Sequence, residues 1–463
     1  MKAHSARRSG EVIEDDSRQG KLAASVHRLE PALVVILAGV CAALHIGKLP
    51  PAIPALQAAL GLSLVQAGFL LSMVQAAGMS AGVAFGALAD GLTPRRSMLI
   101  GLTVLAVASA AGALVDGVVP LMALRACEGL GFLLVVLAAP ALVRELVAPQ
   151  RLDLMLGLWG AYMPLATTLA LLAGPLIIAA LGWRAWWWLA AFVSAAMALW
   201  LARAVPWPRA HSLPTATATA SASACRSEPP GAPPAPATLP TPLRMRLART
   251  LSAPGPWLLA LAFATYSGQW LAVIGFLPTV YAQAGSSLAL GGALTAAAAA
   301  ANMVGNVGAG RLLHAGASPV RLLVLGFVVM GFCAMLAFVA APDRAVGSEV
   351  VAAGGMQPLL PPWLRFVAVL LFSGVGGLIP ATLFTLAVRA APGEGTLSTT
   401  LGWMQQWSAF GQFVGPPLVA WVAARAGGWH FTWVVTGAST LLGLALSMAI
   451  AQYVVKKPPA SGA

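Results

Sequence analysis

An all-α polytopic membrane fold, twelve transmembrane helices in two six-helix halves, is the architecture this sequence predicts, and three observations predict it. Hydrophobic residues make up 59% of the chain against 9% charged, with a mean hydropathy of +0.84, a balance outside the range of soluble domains. Apolar stretches long enough to cross roughly 30 Å of hydrocarbon as helices recur along the whole length. A polar tract of Pro, Ala, Ser and Thr interrupts them once, between the sixth segment and the seventh.

Charges, prolines and small polar clusters set the segment boundaries. Residues 1–30 are polar, charged and without an apolar core, so they read as a cytoplasmic tail and no cleavable secretory signal is expected. The N-terminal half, 31–205, divides near 31–60, 65–89, 97–115, 119–146, 152–181 and 184–205. Segment one carries LHIGKLPPAIP and is expected to kink at its prolines. Segments two and three flank GALADGLTPRRSML, segment four contains LMALRACEGLGF, segment five ends in AGPLIIAALGW, and segment six follows at RAWWW. Residues 206–255 include HSLPTATATASASACRSEPPGAPPAPATLPTPLRMRLART, which cannot bury enough apolar surface to fold and reads as a flexible linker with a basic end. The C-terminal half, 256–455, divides near 256–283, 288–313, 319–341, 363–390, 397–425 and 429–455, and 456–463 is a second cytoplasmic tail.

Lys and Arg fix the expected orientation, because basic residues are retained on the cytoplasmic side. With the N-terminus inside, 21 of the 27 fall on cytoplasmic segments, four on external ones, and Lys48 and Arg125 remain within the membrane. The protein is therefore expected in the inner (plasma) membrane with both termini cytoplasmic, as a monomer among lipids. The net charge of +13 is mostly this retention signal plus attraction to anionic lipid, which argues against a nucleic-acid partner. Cys41, Cys127, Cys225 and Cys333 are spread over three segments and the linker without metal-ligand spacing, so neither disulfide, metal site nor other cofactor is expected.

The halves resemble one another, as repeat-built carriers do. AGPLIIAALGWRAW (173–186) parallels VGPPLVAWVAARAGGWHFTW (414–433), with a Gly-Pro, an apolar run and a Gly-Trp in each. GALADGLTPRRSML (86–99) is echoed more faintly by GNVGAGRLLHAGASPVRLL (305–323).

On these residues the sequence resembles the major facilitator superfamily. Gly86, Asp90, Arg95 and Arg96 match that family's loop motif between the second and third helices, although Gly91 stands where a basic residue is usual and Thr93 where glycine is usual. Arg125, Gly129 and Gly131 match the fourth-helix motif, in which an arginine precedes Gly-x-Gly. Ala173, Gly174 and Pro175 match the end of the fifth-helix antiporter motif, whose following glycines are here Leu176 and Ile177. GLWGAYMPLATTLALLAGP (157–175) is also similar to the cyanate and nitroimidazole transporter-like branch. The resemblance implies alternating access between two halves. It also implies a cytoplasmic latch, with Asp90 pairing with Arg144 and the Thr396 to Thr400 start of segment eleven, and Arg95 and Arg96 serving that latch or only topology.

A charge near the membrane centre costs roughly 2.5–3.5 kcal/mol on insertion scales, so the intramembrane charges need a reason. Arg125 and Glu128 lie three residues apart on one helical face. They either lock helix four to helix one through backbone carbonyls, or form part of a polar cavity in which Arg125 holds an anionic group and Glu128 exchanges the coupling proton. His45 and Lys48 are one turn apart in segment one. If all four point inward, they make a positively charged pocket suited to a small anion. The other half offers uncharged groups: Tyr266, Gln269 and Trp270 sharing a face in segment seven, Asn302 and Asn306 in segment eight, Gln405, Gln406 and Trp407 in segment eleven. Gln75 and Tyr162 are expected to complete the substrate site. Amides and aromatics of this kind also serve as interhelical packing.

The leading expectation is a proton-coupled secondary transporter of a small anion. The alternative is a drug/proton efflux antiporter for amphipathic compounds. An enzyme is not expected, since the chain has no HExxH, no GxSxG and no phosphate-cradling loop.

Overall fold

A computed structural model of the chain describes residues 30–80, 93–206, 243–342, 356–393 and 395–455. Among them, eight helices are both long and apolar enough to cross a membrane. One of these, Tyr162–Ala204, has 43 residues, about 65 Å at 1.5 Å per residue and twice the hydrocarbon thickness. It is two spans, divided at Gly182, whose φ of 81° and ψ of 167° interrupt the helical geometry. Leu64–Ser80, Pro94–Gly112 and Leu397–Ala426 complete the twelve.

Local chemistry sets the ends. Span one (Pro31–Leu60) runs as Pro31–Gly47, tightens into a 3-10 turn at Pro50–Ala52 and resumes as Ile53–Leu60, because consecutive prolines cannot donate to an α-helical ladder. Span two (Leu64–Ser80) starts at a capping box in which Ser63 and Gln66 satisfy each other's backbone N–H groups. Span three (Pro94–Gly112) starts at Thr93 with Pro94 in its first position. Span four (Val118–Leu146) follows, then span five as Pro149–Gly160 and the first part of Tyr162–Ala204, whose remainder is span six. Spans seven to twelve are Pro254–Gln283, Leu288–His314, Pro319–Phe338, Pro362–Ala390, Leu397–Ala426 and Trp429–Val455.

Two differences from the sequence expectation have simple causes. Segment nine was expected to reach residue 341, but the helix ends at Phe338 and Ala340–Pro342 pairs antiparallel with Met356–Pro358. The apolar composition of 339–342 does not distinguish a short strand from a helix end. The basic end of the linker is not flexible coil: Leu243–Ser252 is a helix, built from good helix formers and docked on its neighbours as described below.

The internal repeat has a structural counterpart. Gly182 precedes Trp183 at the end of span five, and Gly427, with a φ of 71°, precedes Gly428 and Trp429 at the end of span eleven. Both halves thus turn from their fifth helix to their sixth through a left-handed glycine.

Each half has its own core. The N-terminal core joins Val35, Leu102, Val135 and Leu201 from spans one, three, four and six. The C-terminal core joins Leu259, Phe327, Phe372 and Ile450 from spans seven, nine, ten and twelve. Glycines let helices approach closely: a Cβ on Gly101 would strike the Gly131 carbonyl and a Cβ on Gly131 the Gly101 carbonyl, while Gly129 lies against the backbone of Val74. The glycines of the fourth-helix motif are therefore contact points to spans two and three. Gly129→Val is expected to destabilise the N-terminal half by about 1–3 kcal/mol through overpacking against backbone that cannot yield, read as a lower melting temperature of the purified protein. An unchanged melting temperature would mean that span two accommodates the side chain.

Candidate functional site

The buried charges of the N-terminal half converge on one carboxylate. Lys48 Nζ donates to Glu128 Oε1 and Arg125 Nη1 donates to Glu128 Oε2. His45 Nδ1 lies 3.3 Å from Glu128 Oε1, and the other ring nitrogen, Nε2, is 2.8 Å from Ser194 Oγ. Lys48 Nζ also donates to Ser109 Oγ at 2.8 Å and stands 4.6 Å from the centroid of the Trp187 ring. His45, Lys48, Arg125 and Glu128 are all at most 1% exposed. Four spans build this centre: one, three, four and six.

Backbone irregularity positions it. In the 3-10 turn the Ala52 N–H goes to Leu49 O, three residues back, leaving the Lys48 carbonyl without its helical donor. Trp186 Nε1 supplies one at 2.9 Å, and Arg125 Nη1 donates to His45 O at 2.6 Å. Arg125 thus both pairs with Glu128 and ties span four to span one through a backbone carbonyl.

The charges do not balance. Counting His45 as neutral, two cations face one carboxylate, leaving a net charge of +1 in a fully buried position. Arg125 Nε and Nη2 have no partner among the described residues. A buried donor without an acceptor is costly, so the centre retains capacity for one more anionic or polar group.

The expected pocket geometry is not what the structure has. Lys48 points toward Ser109, His45 toward Ser194 and Arg125 toward the His45 carbonyl, inside the N-terminal bundle rather than into the space between the halves. The small cavity between the halves, about 30 Å3, is lined by Gly47, Thr167, Trp270, Gly275 and Gln412 among others. That volume holds about one water. His45 and Lys48 flank Gly47 on the same helix, so the charged centre sits behind span one as seen from this cavity, about one helix diameter or 10 Å away.

The other sequence candidates fall into three groups. Gln75 Nε2 donates to Gln412 Oε1 at 3.0 Å and Gln406 Nε2 to Met79 O at 3.0 Å, both across the two halves. In the C-terminal half, Asn302 Nδ2 donates to Tyr266 Oη and to Ser373 O, both at 2.9 Å; Asn306 Nδ2 donates to Asn302 Oδ1 at 3.0 Å, and Trp270 Nε1 to Ser373 Oγ at 3.0 Å. Gln269 does not join them: Tyr266 and Trp270 meet Asn302 and Ser373, whereas Gln269, 2% exposed, has no partner for either amide atom among the described residues. Neighbouring positions 269 and 270 diverge by about 100° around a helix, which separates the three expected on one face. Tyr162 stacks on Trp159 at 4.3 Å within the N-terminal half, and Trp407 belongs to an aromatic cluster with Trp257, Trp403 and Phe410.

The halves meet tightly on the side remote from the termini. Gly68 of span two abuts the backbone of Pro416 and Pro417 in span eleven, and Gly292 of span eight abuts Pro175 and the Leu171 carbonyl in span five. Together with the Gln75–Gln412 pair these contacts form a seal.

On the opposite side, the latch residue Asp90 lies outside the described residues. Arg95 Nε donates to Val205 O at 2.8 Å and Nη2 to Ala202 O at 2.6 Å, closing the end of span six. Such contacts satisfy carbonyls that a helix terminus leaves open. Arg96 is exposed in the first turn of span three, and Arg144 is exposed near the end of span four.

Ser109, Ser194 and Ser373 are not among the sequence candidates, because a lone serine in an apolar helix carries no signal of its own; nor is Gln412, which the reasoning that selects Gln75 and Gln406 could have found.

Comparison with known proteins agrees with this architecture. The family model described as Major Facilitator Superfamily matches residues 35–356. No curated protein matches the chain. Among solved structures, a bacterial homolog to the human lysosomal transporter Spinster, inward-facing and unoccupied, is similar with a TM-score of 0.68 at 14% identity, over 93% of this chain and 98% of that one. The occupied inward-facing form of that protein gives 0.67, and a D-xylose-proton symporter gives 0.64, each at 14% identity and with the same coverage.

Proposed function

Because this chain belongs to the major facilitator superfamily, and is thereby a multi-pass membrane transporter rather than an enzyme, we propose that it is a proton-coupled carrier of a small anionic solute. It works by alternating access. The observation that carries this reading is the unbalanced buried centre: Lys48 and Arg125 against Glu128, with Arg125 Nε and Nη2 unpartnered.

The structure suggests a division of labour. None of His45, Lys48, Arg125 and Glu128 lines the cavity between the halves, so we assign the proton rather than the solute to this centre, with Glu128 as the group that takes it up. The solute occupies the space between the halves. A net unit charge about 10 Å away favours an anion there by about 1.5–2 kcal/mol at an effective dielectric constant near 20, without direct contact. In this reading the seal remote from the termini closes the external side, with both termini cytoplasmic and the carrier a monomer in the plasma membrane.

A second reading is favoured by the lining itself. Trp270, Met163, Thr167 and Gln412 are uncharged, a surface suited to an amphipathic compound exported in exchange for protons.

A thermal-shift screen separates the two, since a ligand stabilises the form it binds. Small carboxylates and inorganic anions are expected to raise the melting temperature. Stabilisation by lipophilic cations alone would overturn the anion reading. For a stabilising anion, Arg125→Lys is expected to reduce uptake about tenfold or more, because an ammonium cannot hold His45 O and Glu128 in the guanidinium's fixed geometry. Normal uptake would show that only the charge matters.

A further inference from the structure

The helix Leu243–Ser252 lies in the connection between the halves and takes no part in the charged centre or the seal. Its sequence, LRMRLARTLS, holds three arginines and no acidic residue. It is docked at two points. Thr250, 1% exposed, places its Oγ1 2.8 Å from Thr399 Oγ1 in the first turn of span eleven, and Trp257 Nε1 of span seven donates to Leu251 O at 2.8 Å. These contacts hold it at the terminus-side ends of spans seven and eleven, where the distribution of Lys and Arg leads one to expect the cytoplasmic membrane surface.

The face it leaves open is mixed in a particular way. Met245 and Leu251 are 46% and 41% exposed, and Arg244 and Arg249 are exposed beside them. At 3.6 residues per turn these four fall within an arc of about 160°, opposite Thr250. Large apolar side chains interleaved with guanidinium groups are the composition of a helix lying in a headgroup layer, where the apolar groups enter the acyl boundary and the arginines meet phosphate. No Asp or Glu occurs from residue 229 to residue 342.

We propose that the helix Leu243–Ser252 is a membrane-surface element that binds anionic phospholipid through Arg244 and Arg249, with Met245 and Leu251 inserted between the headgroups. The bilayer favours this occupant over a soluble partner because the helix is fixed at its edge by Thr250 and Trp257. Binding there also holds the first turn of span eleven against the membrane surface.

The test uses full-length protein with its native cysteines replaced and Met245→Cys carrying an environment-sensitive dye, reconstituted in vesicles of phosphatidylcholine or of phosphatidylcholine with phosphatidylglycerol. In the anionic vesicles the emission is expected to shift to the blue and quenching by neutral acrylamide to fall about threefold or more, and salt that shortens the Debye length to about 3 Å should reverse both. Arg244→Gln with Arg249→Gln should remove the difference between the two vesicles; both side chains are exposed, and an unchanged melting temperature would show that the variant is folded. Equal emission in the two vesicles overturns the proposal. So does a shift that persists in the double variant or in high salt.

Discussion

Glu128→Gln is expected to abolish proton-driven accumulation while leaving exchange of labelled for unlabelled solute. The carboxylate is the shared partner of Lys48 and Arg125, and all three are at most 1% exposed. Removing one member of a buried ion pair typically costs 3–5 kcal/mol, because the remaining charge is left uncompensated. The single variant should therefore also melt at a markedly lower temperature. The double variant Lys48→Met with Glu128→Gln separates the two effects, since it keeps the net charge of the centre unchanged. Its stability should recover in large part, but solute-dependent acidification of dye-loaded vesicles should remain absent. If the double variant still acidified the vesicles in response to solute, Glu128 would not be the proton-carrying group. If both variants lost exchange as well as accumulation, the centre would hold solute or structure rather than a proton.

Gly292→Leu is expected to arrest the cycle by keeping the seal from closing. A side chain at this position meets Pro175 and the Leu171 carbonyl, neither of which can move aside as a flexible side chain would. Overpacking of about 3 kcal/mol, applied to only one of two states, shifts their ratio about 150-fold. The alternative state, in which spans five and eight part, accommodates the leucine. Solute turnover should fall more than about tenfold, since each cycle must pass through the disfavoured state. A cysteine introduced at Leu71, fully buried in this structure, should become reactive to a membrane-impermeant reagent added on the side remote from the termini. Gly68→Leu, which meets Pro416 and Pro417 on the other flank of the seal, should behave alike. Normal turnover with Leu71→Cys still protected would mean that the seal is not part of the cycle.

Much of the fold is legible because the membrane imposes a length. Twelve apolar runs of the right extent become twelve helices, and even the proline break after Lys48 and the Gly-Trp junctions at Gly182 and Gly428 can be read from residue type. The charged centre is partly legible for a related reason: four ionisable groups in apolar surroundings demand partners, and His45, Lys48, Arg125 and Glu128 find them in one another. Their direction is not legible. Whether Lys48 and His45 face a cavity or a bundle interior depends on Ser109 and Ser194 respectively, two of many hydroxyls that elsewhere bond their own helix, as Ser447 does with Gly443 O. Gln269 shows the opposite failure, since adjacency in sequence to Trp270 says little about which neighbour a helical side chain meets. The helix Leu243–Ser252 is hidden in the sequence because its docking rests on two polar contacts, Thr250 with Thr399 and Trp257 with the Leu251 carbonyl, rather than on an extended apolar face.

The pairing of Lys48 with Glu128 joins residues 80 positions apart, and this has a consequence for how the protein is made. Synthesis at about 5–20 residues per second delivers Glu128 some 4–16 s after Lys48. During that interval span one stands alone with an ammonium group, a burden of about 2.5–3.5 kcal/mol at the centre of an isolated helix, which its long apolar stretch must outweigh. The Lys48 carbonyl waits longer still for Trp186, 138 residues downstream. The helix that carries Lys48 is thus among the last of its half to reach its final setting, and this half is expected to stay loosely assembled at the insertion machinery until span six has emerged.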